Sequence, residues 1–323
     1  MTSPDGLVVR PVRWVDDVVD ADDLAAVTRL YREYELDRIG SVDSEPAGLA
    51  AAYAWPQVLR DETALVYDGD EAVASVWVKA EEPTHDVFVD LAVAPGDHER
   101  ERLESAVRHG IAAGRRHAER HPESSWTLRI TVWNGDAVAA EVVEAHGLTP
   151  SRRFYRMRID ADSPAIPATA PPLPPGVELV VRDDEETRRT MWAVDNESFL
   201  DHYNFAPSEY DHWWAEWEAD AQRDPSGWWL LTVDGDPAAI CILDETRAEQ
   251  NDGYVSILGV RKPYRGRGLA TLLLQRAFVR ERDRGRAGIQ LSVDAENTTG
   301  AVGLYERVGM RPTQVLQGHS CEL

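Results

Sequence analysis

Lysine and cysteine are nearly absent from this 323-residue chain. Lys79 and Lys262 are the only lysines, so almost every positive charge is an arginine. Two cysteines, Cys241 and Cys321, are too few for a disulfide framework or a cysteine-built metal centre. Positive charge is scarce as well: 34 basic residues stand against 57 acidic ones, a formal net charge of −23. That balance argues against nucleic acid or an anionic membrane as partner, because both ask for positive charge. No run is apolar and long enough to span a bilayer, and nothing resembles a signal peptide. A cytoplasmic protein is expected, monomeric or homodimeric. Neither G-x-G-x-x-G nor Gly-Lys-Ser/Thr occurs, which sets aside Rossmann and P-loop nucleotide binding. His202 and His212 lie near acids but are not joined by an H-x-x-x-H or C-x-x-C pattern, and no metal is expected.

What is present begins with Arg265-Gly266-Arg267-Gly268-Leu269-Ala270, between an apolar strand, Tyr254–Val260, and an amphipathic helix starting near Leu269. Gly266 and Gly268 have no Cβ, so an anion can approach the main chain closely. The helix behind adds unpaired N–H groups and the positive end of its dipole. Together these make a pyrophosphate cradle that needs no metal. Ile289, Leu291 and Val293 alternate with polar residues, as in a strand. Asn297-Thr298-Thr299 then offers N-cap residues. Ala301, Leu304, Tyr305 and Val308 give the next helix an apolar face, and Gly309 sits where a helix-ending glycine belongs.

This succession resembles the coenzyme A site of the GNAT superfamily of N-acetyltransferases. The resemblance rests on Val260, Arg265-x-x-Gly268-x-Ala270, Asn297 and Leu304-Tyr305-Glu306-x-x-Gly309-Met310. It implies an acetyl-CoA-dependent N-acetyltransferase acting on a small-molecule primary amine. It implies that the main chain of Leu258-Gly259-Val260 holds the pantetheine arm, that Asn297 reaches the same arm, and that an N–H on that strand meets the oxyanion. Tyr305 is the expected proton donor to the departing thiolate, since a phenol ionises near 10 and a thiol near 8.5. Glu245 and Asp294 are candidate bases, with Asp252 and Glu296 beside them. Two other classes stay open: a non-catalytic acyl-CoA sensor or interaction module, and an aminoacyl-tRNA-dependent ligase. The intact loop and the acidic charge count against the ligase.

Length and 43% hydrophobic content suit two domains. Ser163–Gly176 carries six prolines in fourteen residues and reads as a linker. The strands around Asp68-Gly69-Asp70 and around Asp234-Gly235-Asp236 read as matching hairpins. Val87–Val93 matches Tyr254–Val260, and Thr127–Val132 matches Ile289–Asp294, so the chain is expected to be duplicated. The fold class is α+β: two tandem GNAT-like domains, each a mostly antiparallel sheet with flanking helices and a splayed strand pair. The expected division is 1–162, a linker 163–176, and a catalytic domain 177–323. In the first copy Glu101 falls on the position of Gly268, and a carboxylate there would repel a phosphate.

The acceptor pocket is expected in 192–229, where six of the eleven tryptophans lie among acidic residues. Asp201, Tyr203, Asp211 and Trp214 are its candidates, because aromatic faces beside carboxylates suit a cationic amine.

Overall fold

The computed structural model describes residues 6–202, 205–219, 223–297 and 300–323. The protein falls into two compact units. One holds the chain up to Phe154 together with Gln314–Leu323, and the other holds Tyr155–Thr313.

The first unit runs β1 (Val8–Pro11), β2 (Trp14–Val15), β3 (Val18–Val19), α1 (Ala21–Ile39), α2 (Pro46–Tyr53), β4 (Ala64–Asp68), β5 (Glu71–Glu81), β6 (Asp86–Val93), α3 (Glu99–Arg120), β7 (Thr127–Trp133) and α4 (Ala137–Ala145), then enters β8 (Thr149–Asp160). The strand order β1-β4-β5-β6-β7 is antiparallel except for β6 beside β7. β5 is buried along almost its whole length, as expected of a strand covered on both faces. One apolar cluster lies under α3 and α4, another under α1 and α2. Asp20 starts α1 by accepting from the N–H groups of Asp22 and Asp23, and Gly40 ends it in the left-handed region.

The second unit continues β8 from Tyr155 and runs β9 (Val177–Val180), α5 (Glu185–Phe199), α6 (Tyr210–Ala219), β10 (Arg223–Val233), β11 (Asp236–Asp244), β12 (Asp252–Val260), a 3₁₀ turn (Lys262–Tyr264), α7 (Leu269–Asp283), β13 (Gly288–Asp294) and α8 (Ala301–Arg307), then enters β14 (Arg311–Glu322). Its strand order is β13-β12-β11-β10-β9, antiparallel except for β12 beside β13. Both units therefore carry the mixed α/β architecture read from the repeat. The hairpin at Asp234-Gly235 has positive φ at both central residues, 52° and 87°, which matches the twist of the strands it joins.

Two local findings differ from the sequence reading. The proline-rich Ser163–Gly176 lies along α7: Arg282 donates to the carbonyls of Pro167 and Ala168, Arg276 donates to that of Pro171, and Ile166 is buried. Prolines have no N–H to pair those carbonyls locally, and arginines have taken up those of Pro167, Ala168 and Pro171. The start of α8 is Gly300, in the left-handed region at φ 79° without a side-chain cap. The expected capping pair Thr298-Thr299 lies outside the described residues.

The last strand finishes the first unit's sheet, with Leu316–Glu322 of β14 pairing antiparallel to Trp133–Thr127 of β7. Deleting Gln314–Leu323 would bare the edge of β7 and invite pairing between chains. The unfolding temperature of the full chain should fall by more than about 5 °C, the shift for roughly 2 kcal/mol in a unit of this size. An unchanged melting curve by circular dichroism would show that the strand contributes nothing.

Candidate functional site

The site grows from a fork between two parallel strands. β12 and β13 pair at Asp252–Gly288, Gly253–Ile289 and Tyr254–Gln290, and there the pairing ends. The closed end is pinned by buried Asp252, which accepts from Arg158 at 2.7 and 3.0 Å and from Gln290 at 2.7 Å. Asp252 is thus tied up below the fork. Beyond it the strands part, and their open edges wall a cavity of about 520 Å³. Helix α5 closes one side. Its Ser198 sits so near β12 that a Cβ on Gly259 would meet the Ser198 Cβ at 2.9 Å, so only glycine fits there.

At one end of the cavity lies the loop before α7. Gly266 and Gly268 have φ of 76° and 77°, and nothing lies within 4 Å of where their Cβ atoms would be. Gly268 is the N-cap of α7, without a side-chain cap and with no acid in the first turn. The first intrahelical bond runs from the N–H of Leu272 to the carbonyl of Gly268 at 2.9 Å. The N–H groups of Leu269, Ala270 and Thr271, all at the cavity wall, precede it and have no partner within the helix. Arg265 holds the loop in place. It donates to the carbonyls of Val260 (3.1 Å) and Ser198 (2.8 Å) and to the Asp201 carboxylate (2.8 Å). Leu258, Gly259, Val260 and Asn297 line the same cavity. Arg267 is not among its lining residues; its guanidinium lies over the Tyr264 ring.

Tyr305 projects from α8 into the wall and is only 8% exposed. Burial, reinforced by Cys241 and Tyr254 nearby, pushes its phenol up to about 12. Asp294 lines the cavity and caps the turn after β13, accepting from the N–H of Glu296 at 2.9 Å. Glu245 lies elsewhere, its carboxylate paired with Arg284 at 2.6 Å and with Arg286. A feature the sequence did not disclose stands one residue before it. Ser256 lies where β12 slips register against β11, between the pairs Ile242–Ile257 and Leu243–Val255. Such a bulge re-aims a side chain. The Ser256 hydroxyl donates to buried Asp244, whose other oxygen accepts from the N–H of Thr246 at 3.0 Å.

Of the segment expected to receive the acceptor, the neighbours of the named candidates reach the cavity: Ser198, Phe199 and His202. Asp201 faces Arg265 and Lys262, and those cations hold its carboxyl below its usual range. Trp214 is covered by Arg188 at 4.0 Å and Arg223 at 4.7 Å, so its faces already carry cations. Asp211 is exposed in the first turn of α6. Tyr203 lies outside the described residues. Burial and the nearby Arg265 lower the His202 imidazole below its usual range. Ser198 is 3% exposed, and its hydroxyl oxygen has no hydrogen-bond partner.

The corresponding loop of the first unit is built differently. Arg102 donates to the carbonyls of Ala94 (2.9 Å) and Pro95 (3.4 Å), across the turn that leads into α3. The first turn of α3 carries Glu99 and Glu101, and Glu99 is paired with Arg38. Where the second unit presents open main chain, this loop presents its own charged side chains.

The acetyltransferase (GNAT) family profile matches residues 188–310. A mycothiol acetyltransferase of Beutenbergia cavernae is 30% identical over 223 residues, covering 67% of this chain and 74% of that protein. A GCN5-related N-acetyltransferase from Sphaerobacter thermophilus superposes with a TM-score of 0.78 at 26% identity, over 99% of this chain and 96% of that one. A tandem GNAT protein from the clavulanic acid biosynthesis pathway shares the fold over 98% of both chains, with a TM-score of 0.73 and 17% identity. With its relative's identity and coverage, and with the loop and cavity in the matched region, the chain belongs to the GNAT acetyltransferase family and is an N-acetyltransferase.

Proposed function

We propose that the second unit transfers an acetyl group from acetyl-CoA directly to the primary amine of a small molecule, with both substrates bound together. The observation that carries this is the joining, by one cavity, of the open cradle at Gly266–Thr271 to Tyr305. The cradle suits a pyrophosphate: two glycines leave its face bare, and unpaired N–H groups and a helix dipole point at it. The Beutenbergia cavernae relative is named a mycothiol acetyltransferase, and a mycothiol-related amine is the acceptor class we favour. The amine nitrogen needs its lone pair, so it must be neutral before attack.

The thioester brings an acyl carbon that an amine can attack. The chain supplies the rest. Past Tyr254 the edge of β12 is free of β13, so the main chain of Leu258–Val260 can bond the pantetheine amides and offer an N–H to the carbonyl oxygen as it gains charge. Tyr305 faces the sulfur. With its phenol at about 12 it stays protonated. Full proton transfer to a thiolate near 8.5 would be uphill by about 5 kcal/mol, so it acts as a hydrogen-bond donor that strengthens as the sulfur becomes anionic. The amine proton leaves through Ser256 to Asp244, the buried carboxylate its hydroxyl already addresses. Asp294, at the cavity wall, is the second acceptor within the site. Phe199 and His202 border the acceptor.

Coenzyme A release across primary amines, including cysteinyl sugar conjugates, should reveal turnover, and Gly268→Glu should abolish both turnover and acetyl-CoA binding. Glutamate there would be strained at positive φ and would aim a carboxylate into the cradle. Turnover restricted to hydroxyl or anionic acceptors, or binding that survives the substitution, would contradict the assignment.

Tyr305→Phe should lower kcat by about 10²-fold or more while acetyl-CoA affinity stays within a few-fold. For wild type, rate should climb with pH as amine and relay lose protons. No falling limb should appear below about pH 10, because the phenol keeps its proton until about 12. A limb near pH 9 that vanishes in the Phe variant would refute this.

Asp244→Asn and Ser256→Ala should each cut kcat by about 10²-fold and move the rising limb, whereas Asp294→Asn should cost less. A larger loss at Asp294 would transfer the role of base to it.

A further inference from the structure

The first unit holds a cluster of ligand-bearing side chains far from any acyl chemistry in the chain's own sequence. Helix α3 ends in His117-Ala118-Glu119-Arg120-His121. Residues four apart lie on one helix face, so the two imidazoles are neighbours. Their rings stack at 4.5 Å. Glu82, just after β5, completes the group: one ligand atom from each of Glu82, His117 and His121 lies within 4.8 Å of the others.

A second observation points to a ligand independently of that spacing. His117 is 4% exposed, and its Nε2 has no hydrogen-bond partner. A buried ring nitrogen left without a partner forfeits its hydration and regains nothing. The surroundings hold the imidazoles rather than satisfy them. The Trp126 ring meets His117 edge-on at 4.3 Å, and its Nε1 donates to the His121 carbonyl at 3.2 Å. The neighbouring cations are occupied: Arg116 and Arg120 both pair with Glu62. The C-terminal end of α3 adds its negative dipole end, which favours a cation over an anion.

We propose that the first unit binds a divalent transition-metal ion, zinc by the character of its donors, through Glu82, His117 and His121. Two imidazole nitrogens and a carboxylate oxygen form a zinc-type donor set, with a fourth position for water. Glu123, whose carboxylate lies 3.6 Å from His121 Nδ1, is placed to orient that ring. The ion would tie the end of α3 to the end of β5.

The test is a titration of the metal-stripped full chain with Zn²⁺ by calorimetry at neutral pH, paralleled by cobalt(II) absorption. A single saturable ion per chain is expected, with the visible bands of four-coordinate cobalt. His121→Ala and Glu82→Gln should each weaken zinc by more than about 10-fold, the loss seen when even supporting residues are removed from metal sites. Zinc should raise the unfolding temperature of the wild type and not of either variant. Both substitutions are outside the packed core, and circular dichroism of the metal-free proteins checks that they fold alike. No saturable uptake, or unchanged affinity in either variant, overturns the proposal.

Discussion

Arg265 bonds to the protein itself, and the shape of the loop before α7 depends on that. Its guanidinium reaches β12 through Val260, α5 through Ser198, and the loop after α5 through Asp201. A loop with two left-handed glycines would otherwise sample many conformations, since glycine loses more freedom on ordering than any other residue. Three bonds from one planar cation fix it, and the fixed loop turns its main-chain N–H groups toward a single point. In the proposed function a phosphate is then met by the backbone and the helix end, which need no side-chain rearrangement.

The fork in the sheet is the second constraint, and it too is local chemistry with a long reach. Asp252 gathers Arg158 and Gln290 at the closed end. Removing one partner of such a buried group would leave charge without compensation, at a cost of about 3–5 kcal/mol. Above that pin the strands separate, and the freed edge of β12 lines the cavity. One strand therefore serves as sheet on one side and as cavity wall on the other. The register slip at Ser256 lies within it and turns a hydroxyl onto Asp244. The first unit shows what happens without the cradle: the same order of strands persists, while Arg102, Glu99 and Arg38 fill the turn.

The fold was legible because its signals are short-range. Asp-Gly pairs mark both hairpins, alternation marks β13, and the repeat of these signs reveals duplication. The shape of the loop before α7 was legible for the same reason: Gly266 and Gly268 act through their own φ angles, which neighbours in sequence determine. The acceptor side was less so. Asp201 and Trp214 were read by residue type, but their electrostatic effect depends on distant partners, and Arg265, Arg188 and Arg223 supply them. Asp244 carries no local sign in the sequence, because its partner Ser256 is aimed at it by a bulge twelve residues on. Glu245, its neighbour, had the better position on paper and is paired with Arg284 and Arg286. The H-x-x-x-H spacing at His117 and His121 stands in the sequence, but its pairing with Glu82 depends on the fold.

Hydrogen–deuterium exchange of the full chain, with and without acetyl-CoA, tests the central claim most directly. The account expects slowed exchange at the amides of Gly266–Thr271 and Leu258–Val260, where main chain meets ligand. It expects no change at residues 94–103, the corresponding turn of the first unit. Protection at 94–103, or none at 266–271 under saturating acetyl-CoA, would contradict a cradle made of open backbone in the second unit.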